Sequence, residues 1–106
     1  MKIFITNQAA DDIAAIYGYI LDELHNPIAA DVVQQLIADK INTLSDMPAR
    51  GIAVQKFTQR KTDVLFVIVK NYLIFYEIDT KRQAVQVLYV IPAMRDFTKI
   101  LFGDGQ

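Results

Sequence analysis

The spacing of apolar residues predicts two amphipathic helices in the first half of the chain. Thr6 or Asn7 can cap the first helix, which should run to about His25. Asn26 can cap the second, and Pro27 suits its first turn, so this helix should run to about residue 45. The apolar faces recur at steps of three and four: Ile13, Ile16, Tyr17, Ile20 and Leu24, then Val33, Leu36, Ile37, Ile41 and Leu44. Because so few residues join the helices, they should pack as an antiparallel hairpin.

Four apolar runs predict strands, one before the helices and three after them. Residues 2–5 form the first, and residues 64–69, 72–78 and 84–91 are rich in the valine, isoleucine, tyrosine and phenylalanine that strands prefer. Polar turn residues separate the last three runs, which favours an antiparallel meander. Residues 94–102 can form a short tail helix. The order predicts one α+β domain, with the hairpin on one face of a small, mainly antiparallel sheet.

Composition limits the chemistry that the chain can carry. It has no cysteine and a single histidine, His25, and its four glycines form no phosphate-binding pattern. Its longest apolar run, residues 64–69, is far shorter than the ~20 residues of a membrane span, and its N-terminus lacks the pattern of a signal peptide. We therefore expect a cytosolic protein with no metal site and no cofactor.

The charges are divided unevenly along the chain. Residues 1–47 hold two basic and seven acidic side chains, whereas residues 48–106 hold nine basic and five acidic ones. Four of the cations, Arg50, Lys56, Arg60 and Lys61, lie in the long connection of residues 49–63, and such connections are usually functional or mobile. The group is either a solvated loop or a binding site. The pI of about 5.7 is well below that of dedicated nucleic-acid binders, whose pI exceeds about 9.

Four segments, taken in order, resemble the RelE/ParE superfamily of bacterial toxins from type II toxin–antitoxin modules. They are IYGYI at residues 16–20, LSDMPARG at 44–51, NYLIFYEI at 71–78 and RDFTKIL at 95–101. The resemblance covers nearly the whole chain and implies a RelE/ParE-like fold. It also implies a toxin that is neutralised by a co-expressed antitoxin.

The resemblance leaves two targets open. ParE-like members poison DNA gyrase through a C-terminal segment, which would implicate Arg95, Phe97 and Lys99. RelE-like members cut messenger RNA on the ribosome, and here Arg60, Lys61 and Arg95 would carry that activity. A third interpretation is a non-toxic relative that only pairs with another chain.

The nuclease pattern is incomplete in this sequence. Leu73 stands where the family often has an arginine, and Pro92 stands near the usual position of a histidine or tyrosine. Proline transfers no proton, whereas metal-free RNA cleavage needs an acid and a base. The sequence therefore favours the ParE-like branch.

The run of residues 64–69 has no polar alternation. Such a strand is either buried on both faces or covered by another chain. Basic residues are frequent near this point in the family, whereas this chain has Leu65 and Phe66. We expect an antitoxin or a second protomer to cover this strand, so a homodimer stays open.

Overall fold

The computed structural model describes residues 1–93 and Leu101, and shows a helical hairpin packed on a five-stranded sheet. The elements in chain order are β1 (Lys2–Ile5), α1 (Asn7–Gly18), a π-helical turn (Tyr19–Glu23), α2 (Pro27–Asp46), a 3-10 turn (Pro48–Arg50), β2 (Ile52–Ala53), a second 3-10 turn (Val54–Phe57), β3 (Leu65–Val69), β4 (Tyr72–Asp79) and β5 (Ala84–Pro92). No helix among the described residues is long and apolar enough to cross a membrane.

Both helices begin at the predicted caps. The Thr6 hydroxyl accepts the N–H of Ala9 at 3.1 Å, and the Asn26 side chain accepts the N–H of Ala29 at 3.0 Å. Each bond satisfies one of the N–H groups that a helix start leaves without an intrahelical partner. The Tyr17 hydroxyl donates to Asp31 at 2.7 Å and so joins α1 to α2.

The sheet has the strand order β1-β5-β4-β3-β2 and is antiparallel except at β1, which pairs parallel to β5. The pairing register between β4 and β5 shifts by one residue at a single point. Phe75 pairs with Tyr89, whereas the next residue, Tyr76, pairs with Val87. Leu88 is therefore the extra residue of a β-bulge, which bends the strand locally.

Side chains of the first helix cover the outer edge of β5 where β1 ends. The Thr6 hydroxyl donates to the carbonyl of Leu88 at 3.2 Å, and the Asp12 carboxylate accepts the N–H of Val90 at 3.0 Å. These bonds serve backbone groups that β1 is too short to reach. They also fix α1 against the sheet.

The core has two parts, one on each face of the sheet. The larger part lies between the hairpin and the sheet, and its fully buried members include Ala30, Ile37, Leu44, Ile74, Tyr76, Val85 and Val87. The smaller part lies on the opposite face and consists of Val54, Phe66, Leu73, Phe75 and Ile91, with Leu101 packed against it. Adjacent strand residues point to opposite faces, so the apolar strands β3, β4 and β5 fill both.

The α+β class and the hairpin on a mainly antiparallel sheet are confirmed. The first helix differs from prediction in its last turn, which is π-helical and ends at Glu23. The prediction of one long connection over residues 49–63 is wrong within it, because Ile52–Ala53 form β2 and pair with β3. The predicted tail helix falls on residues of which only Leu101 is described.

The chain between α2 and β2 passes very close to the sheet at Gly51. A Cβ at this position would lie 2.4 Å from the Tyr76 hydroxyl oxygen and 3.0 Å from the Phe66 carbonyl oxygen. We expect Gly51→Ala to lower the free energy of unfolding by about 1–3 kcal/mol, as overpacking does. Urea unfolding followed by circular dichroism measures this change.

Gly18→Ala is the matched control. A Cβ at Gly18 meets nothing within 4 Å, and the residue is helical. This substitution should raise stability by about 0.5–1 kcal/mol, because alanine loses less backbone entropy than glycine in a helix. Equal effects of the two substitutions would contradict the close approach at Gly51.

Candidate functional site

The structure divides the predicted group of four cations between two places. Lys56, Arg60 and Lys61 are exposed on the connection between β2 and β3. Arg50 lies in the 3-10 turn after α2 and lines a groove with Lys40 of that helix. No local sequence pattern indicates this division, since Lys40 and Arg50 belong to different predicted elements.

Backbone and side-chain hydrogen bonds close the β2–β3 connection on itself. The N–H of Val54 donates to the carbonyl of Val64 at 3.0 Å. The Gln55 side chain accepts the N–H of Thr62 at 2.8 Å and donates to the carbonyl of Thr58 at 3.2 Å. The loop is therefore an ordered, compact segment that presents Lys56, Arg60 and Lys61 to solvent, as functional surface loops often do.

The chain itself covers most of β3. Phe66 is 5% exposed, and its ring centroid lies 5.9 Å from that of Phe57 and 5.6 Å from that of Phe75. Leu65 is half-buried and packs on the helical side. Ile68, by contrast, is 50% exposed. A partner would therefore reach this strand at Ile68 or along its edge, because Phe66 is already packed within the chain.

Tyr76 holds the connection after α2 to the centre of the sheet. Its buried hydroxyl donates to the carbonyl of Pro48 at 2.7 Å and accepts the N–H of Gly51 at 2.9 Å. Burial raises the pKa of the Tyr76 phenol, although the Gly51 N–H and the Arg50 charge act in the opposite direction. The side chain is structural, and its position also fixes where Arg50 emerges.

The hydroxyls of Tyr72, Tyr76 and Tyr89 and the imidazole of His25 form no common site in the part of the chain that the structure describes. Tyr76 is committed to the backbone on both sides of its hydroxyl, and Tyr72 and Tyr89 are half-buried on opposite faces of the sheet. His25 lies in the left-handed conformation (φ 51°) between the two helices. Leu73 is buried in the smaller core cluster. Residues 1–93 also place no three histidine or acidic side chains together as metal ligands.

Four strongly exposed apolar side chains around the closed end of the hairpin form a patch: Tyr19 at 57%, Leu24 at 56%, Ile28 at 76% and Val32 at 48%. Sequence reasoning missed this patch, and it was wrong for Leu24, which it placed on the apolar face of the first helix. Ile28 and Val32 are four residues apart and lie off the buried stripe of α2, which was the available signal.

Three predicted contact residues, Arg95, Phe97 and Lys99, lie outside the described residues. Their assignment to a target-binding segment stays a prediction.

The fold is shared with solved bacterial toxin–antitoxin proteins. A structure described as the chromosomal ParDE system of P. aeruginosa superposes with a TM-score of 0.71 at 18% identity, covering 89% of this chain and 97% of the other. The RelBE2 complex of Mycobacterium tuberculosis superposes with a TM-score of 0.59 at 19% identity, covering 86% of this chain and 95% of the other. The isolated E. coli RelE toxin superposes with a TM-score of 0.62 at 11% identity, covering 94% of each chain. These likenesses define the RelE/ParE fold.

Family membership follows from the sequence comparison. Residues 3–97 match the family described as the ParE toxin of the type II toxin–antitoxin system parDE. The chain therefore belongs to the ParE toxin family. A comparison with curated proteins gives no match.

The hydroxyl of Tyr76 can be tested alone with Tyr76→Phe. This change keeps the buried ring and leaves the Pro48 carbonyl and the Gly51 N–H without their partner. We expect a loss of about 1–3 kcal/mol in the free energy of unfolding, as for other buried groups left unsatisfied. Tyr19→Phe is the control, because that side chain is 57% exposed. A loss no larger than that of Tyr19→Phe would show that the two hydrogen bonds of the Tyr76 hydroxyl do not stabilise the fold.

The raised pKa of Tyr76 also predicts the response to alkaline pH. Folding favours the protonated phenol, so its contribution is complete below the ordinary tyrosine pKa of about 10 and is lost as pH rises through the higher folded pKa. Stability should therefore fall above about pH 10, and it should fall less steeply in Tyr76→Phe. Urea midpoints measured across this range test the difference, and equal slopes in both proteins would contradict it.

Proposed function

We propose that the chain is a growth-inhibiting toxin that binds an essential cytosolic target of the DNA gyrase type as a single domain. Its cognate antitoxin neutralises it by binding to the folded toxin. Membership of the ParE toxin family supports this assignment. The solved relatives described as ParDE and RelBE complexes support an antitoxin as partner.

The burial of Leu73 is the observation that favours a gyrase-type target over cleavage of messenger RNA. Leu73 is 6% exposed and packs with Phe75 and Ile91, so the strand position that often bears a family arginine is part of the core here. Phosphate cleavage without a metal needs cations placed around the developing charge and groups that transfer protons. An apolar sheet face supplies neither, whereas it suits a rigid scaffold for protein contacts.

Among the described residues, the β2–β3 connection is the surface that we propose binds the target. Lys56, Arg60 and Lys61 project from an ordered segment, so binding would cost little further ordering of its backbone. Arg95, Phe97 and Lys99 extend the proposed surface along the C-terminal segment.

A ribosome-dependent endoribonuclease is the alternative, and it would use Arg60, Lys61 and Arg95. A non-toxic relative that acts only by pairing with another chain is the second alternative, and the exposed apolar patch at the hairpin end favours it. The nuclease would share Arg60, Lys61 and Arg95 with the proposed contact surface, so the fate of translated messages separates it from the first proposal. Harmless expression separates the pairing-only alternative.

Tightly controlled expression in a bacterium tests the proposal. The wild-type chain should arrest growth, induce the DNA-damage response and leave translated messages intact. Arg60→Ala/Lys61→Ala and Arg95→Ala should each weaken the arrest, because they remove cations from the proposed contact surface. Growth curves, mapped transcript ends and an SOS reporter measure the three effects.

Lys81→Ala/Arg82→Ala is the matched control for the loop variant. It removes two adjacent cations from the exposed β4–β5 turn, where Arg82 pairs with Asp79 at 3.8 Å. This variant should remain as toxic as the wild type. Cuts within translated messages would support the nuclease instead, and harmless expression at high yield would support the pairing-only alternative.

A further inference from the structure

The strand β1 forms one edge of the sheet, and part of that edge is open. β1 stands first in the strand order, and among the described residues no strand pairs with its outer side. The N–H groups of Lys2 and Thr6 donate to carbonyl groups on the β5 side at 3.2 and 3.1 Å. Because the peptide groups of a strand alternate in direction, Ile3 and Ile5 turn their N–H and C=O groups outward.

The open stretch has definite ends. The amino group of Met1 donates to the carbonyl of Ser45 at 2.9 Å, and the Ser45 hydroxyl donates to the Met1 carbonyl at 2.7 Å, so α2 closes the edge there. At the other end, α1 begins at Asn7. Residues 3–5 therefore offer two outward donors and two outward acceptors. An exposed edge of this kind is a template for another strand.

The side chains of this stretch are apolar on both faces of the sheet. Ile3 and Ile5 point to the hairpin side, where they line a groove of about 480 Å³ with residues of α1 and α2. None of the described residues that line this groove is charged. Phe4 points to the opposite face, because adjacent strand residues alternate, and it is 49% exposed. The occupant of this edge should therefore be an apolar strand without charges of its own beside the groove.

A second copy of β1 satisfies all four outward groups at once. If two β1 strands pair antiparallel about a two-fold axis at Phe4, Ile3 of each copy lies opposite Ile5 of the other. Each of these pairs then exchanges two backbone hydrogen bonds. An axis at Ile3 would place Ile5 opposite Met1, which Ser45 already holds. An axis at Ile5 would place Ile3 opposite the start of α1, so both alternatives lose one pair.

The side chains agree with the same register. The two Phe4 rings lie directly opposite each other in the non-hydrogen-bonded position, where side chains approach most closely and aromatic pairs are favourable. Lys2 is the single charged residue of β1 and lies opposite Thr6 of the other copy. The two Lys2 residues are therefore about 13 Å apart along the strands, beyond the Debye length of about 8–10 Å.

The apolar patch at the hairpin end suits a second copy less well. Asp22 and Glu23 directly precede Leu24, and Asp31 directly precedes Val32, and all three acids are exposed. A two-fold contact uses the same patch on both copies, so it would bring these acids together. The β1 edge has no such repulsion.

We propose that two copies of the chain associate through their β1 edges, forming a continuous sheet with five strands from each copy. The contact is short, so the dimer is weak and reversible. The β2–β3 connection lies at the opposite edge of each sheet, and the dimer therefore leaves the proposed target-binding surface exposed. The inference does not depend on which target the chain inhibits.

Cysteine cross-linking of the full chain tests the pairing register, because the chain has no native cysteine. The two Phe4 Cα atoms should lie about 4.5 Å apart, within the range of roughly 4.4–6.8 Å that a disulfide spans. With copper phenanthroline as oxidant, Phe4→Cys should form a covalent dimer at least about tenfold faster than Lys2→Cys, since position 2 is too far from its own copy. Non-reducing gel electrophoresis measures both rates.

Charges placed on the two-fold axis test the dimer without a cross-link. Sedimentation velocity should show that the share of wild-type dimer rises with concentration up to about 1 mM. Phe4→Glu and Phe4→Lys should each be monomeric, because like charges directly opposite destabilise a strand pair, and mixing the two should restore a dimer. Circular dichroism verifies that each variant is folded.

Ile68→Glu is the matched control for Phe4→Glu. Ile68 is 50% exposed and lies on β3, away from the proposed interface, so this variant should dimerise as the wild type does.

Four results would overturn the inference: a wild-type chain that stays monomeric over the whole range, equal cross-linking at positions 2 and 4, a mixture of the Phe4 variants that stays monomeric, or loss of the dimer in Ile68→Glu. Growth arrest is measured separately. A monomeric chain that arrests growth removes this inference and leaves the proposed function standing. A harmless chain that dimerises through Phe4 does the opposite.

Discussion

The buried hydroxyl of Tyr76 is the constraint on which the arrangement of this chain depends. It joins the carbonyl of Pro48 to the N–H of Gly51, and so pins the segment between α2 and β2 onto the middle of the sheet. The close approach leaves no room for a side chain at Gly51. It also sets where β2 begins, and therefore how much of β3 remains open. The same geometry places Arg50 in the groove that it lines with Lys40.

The two faces of the sheet have different roles because different elements cover them. The helical hairpin covers one face and is fixed at the β5 edge by Thr6 and Asp12. Phe57, from the second 3-10 turn, packs against Phe66 on the other face. Both faces are already occupied over most of β3 and β4. Among residues 1–93, the surfaces that remain exposed include strand edges, the charged loop and the hairpin end. This is the pattern expected of a small scaffold that acts through its surface.

Sequence patterns predicted the regular elements well because each rests on local chemistry. The cap residues Thr6 and Asn26 and the apolar periodicity of α1 and α2 locate the helices, and the runs of β-branched and aromatic residues locate three strands. The two-residue strand β2 was missed because its existence depends on pairing with β3 and on Tyr76, neither of which is a local signal. The division of the cations was missed for the same reason. Arg50 and Lys40 meet only through tertiary packing, whereas Lys56, Arg60 and Lys61 remain neighbours in sequence.

The central claim is that this ParE-family chain inhibits its target through protein contacts. The most direct test adds the purified chain, in parallel, to DNA gyrase with supercoiling substrate and to ribosomes translating a defined message. We predict that supercoiling is inhibited, with accumulation of cleaved DNA–gyrase complexes, while the message stays intact. Cleavage of the message on the ribosome, with gyrase unaffected at the same concentration of toxin, would contradict the account.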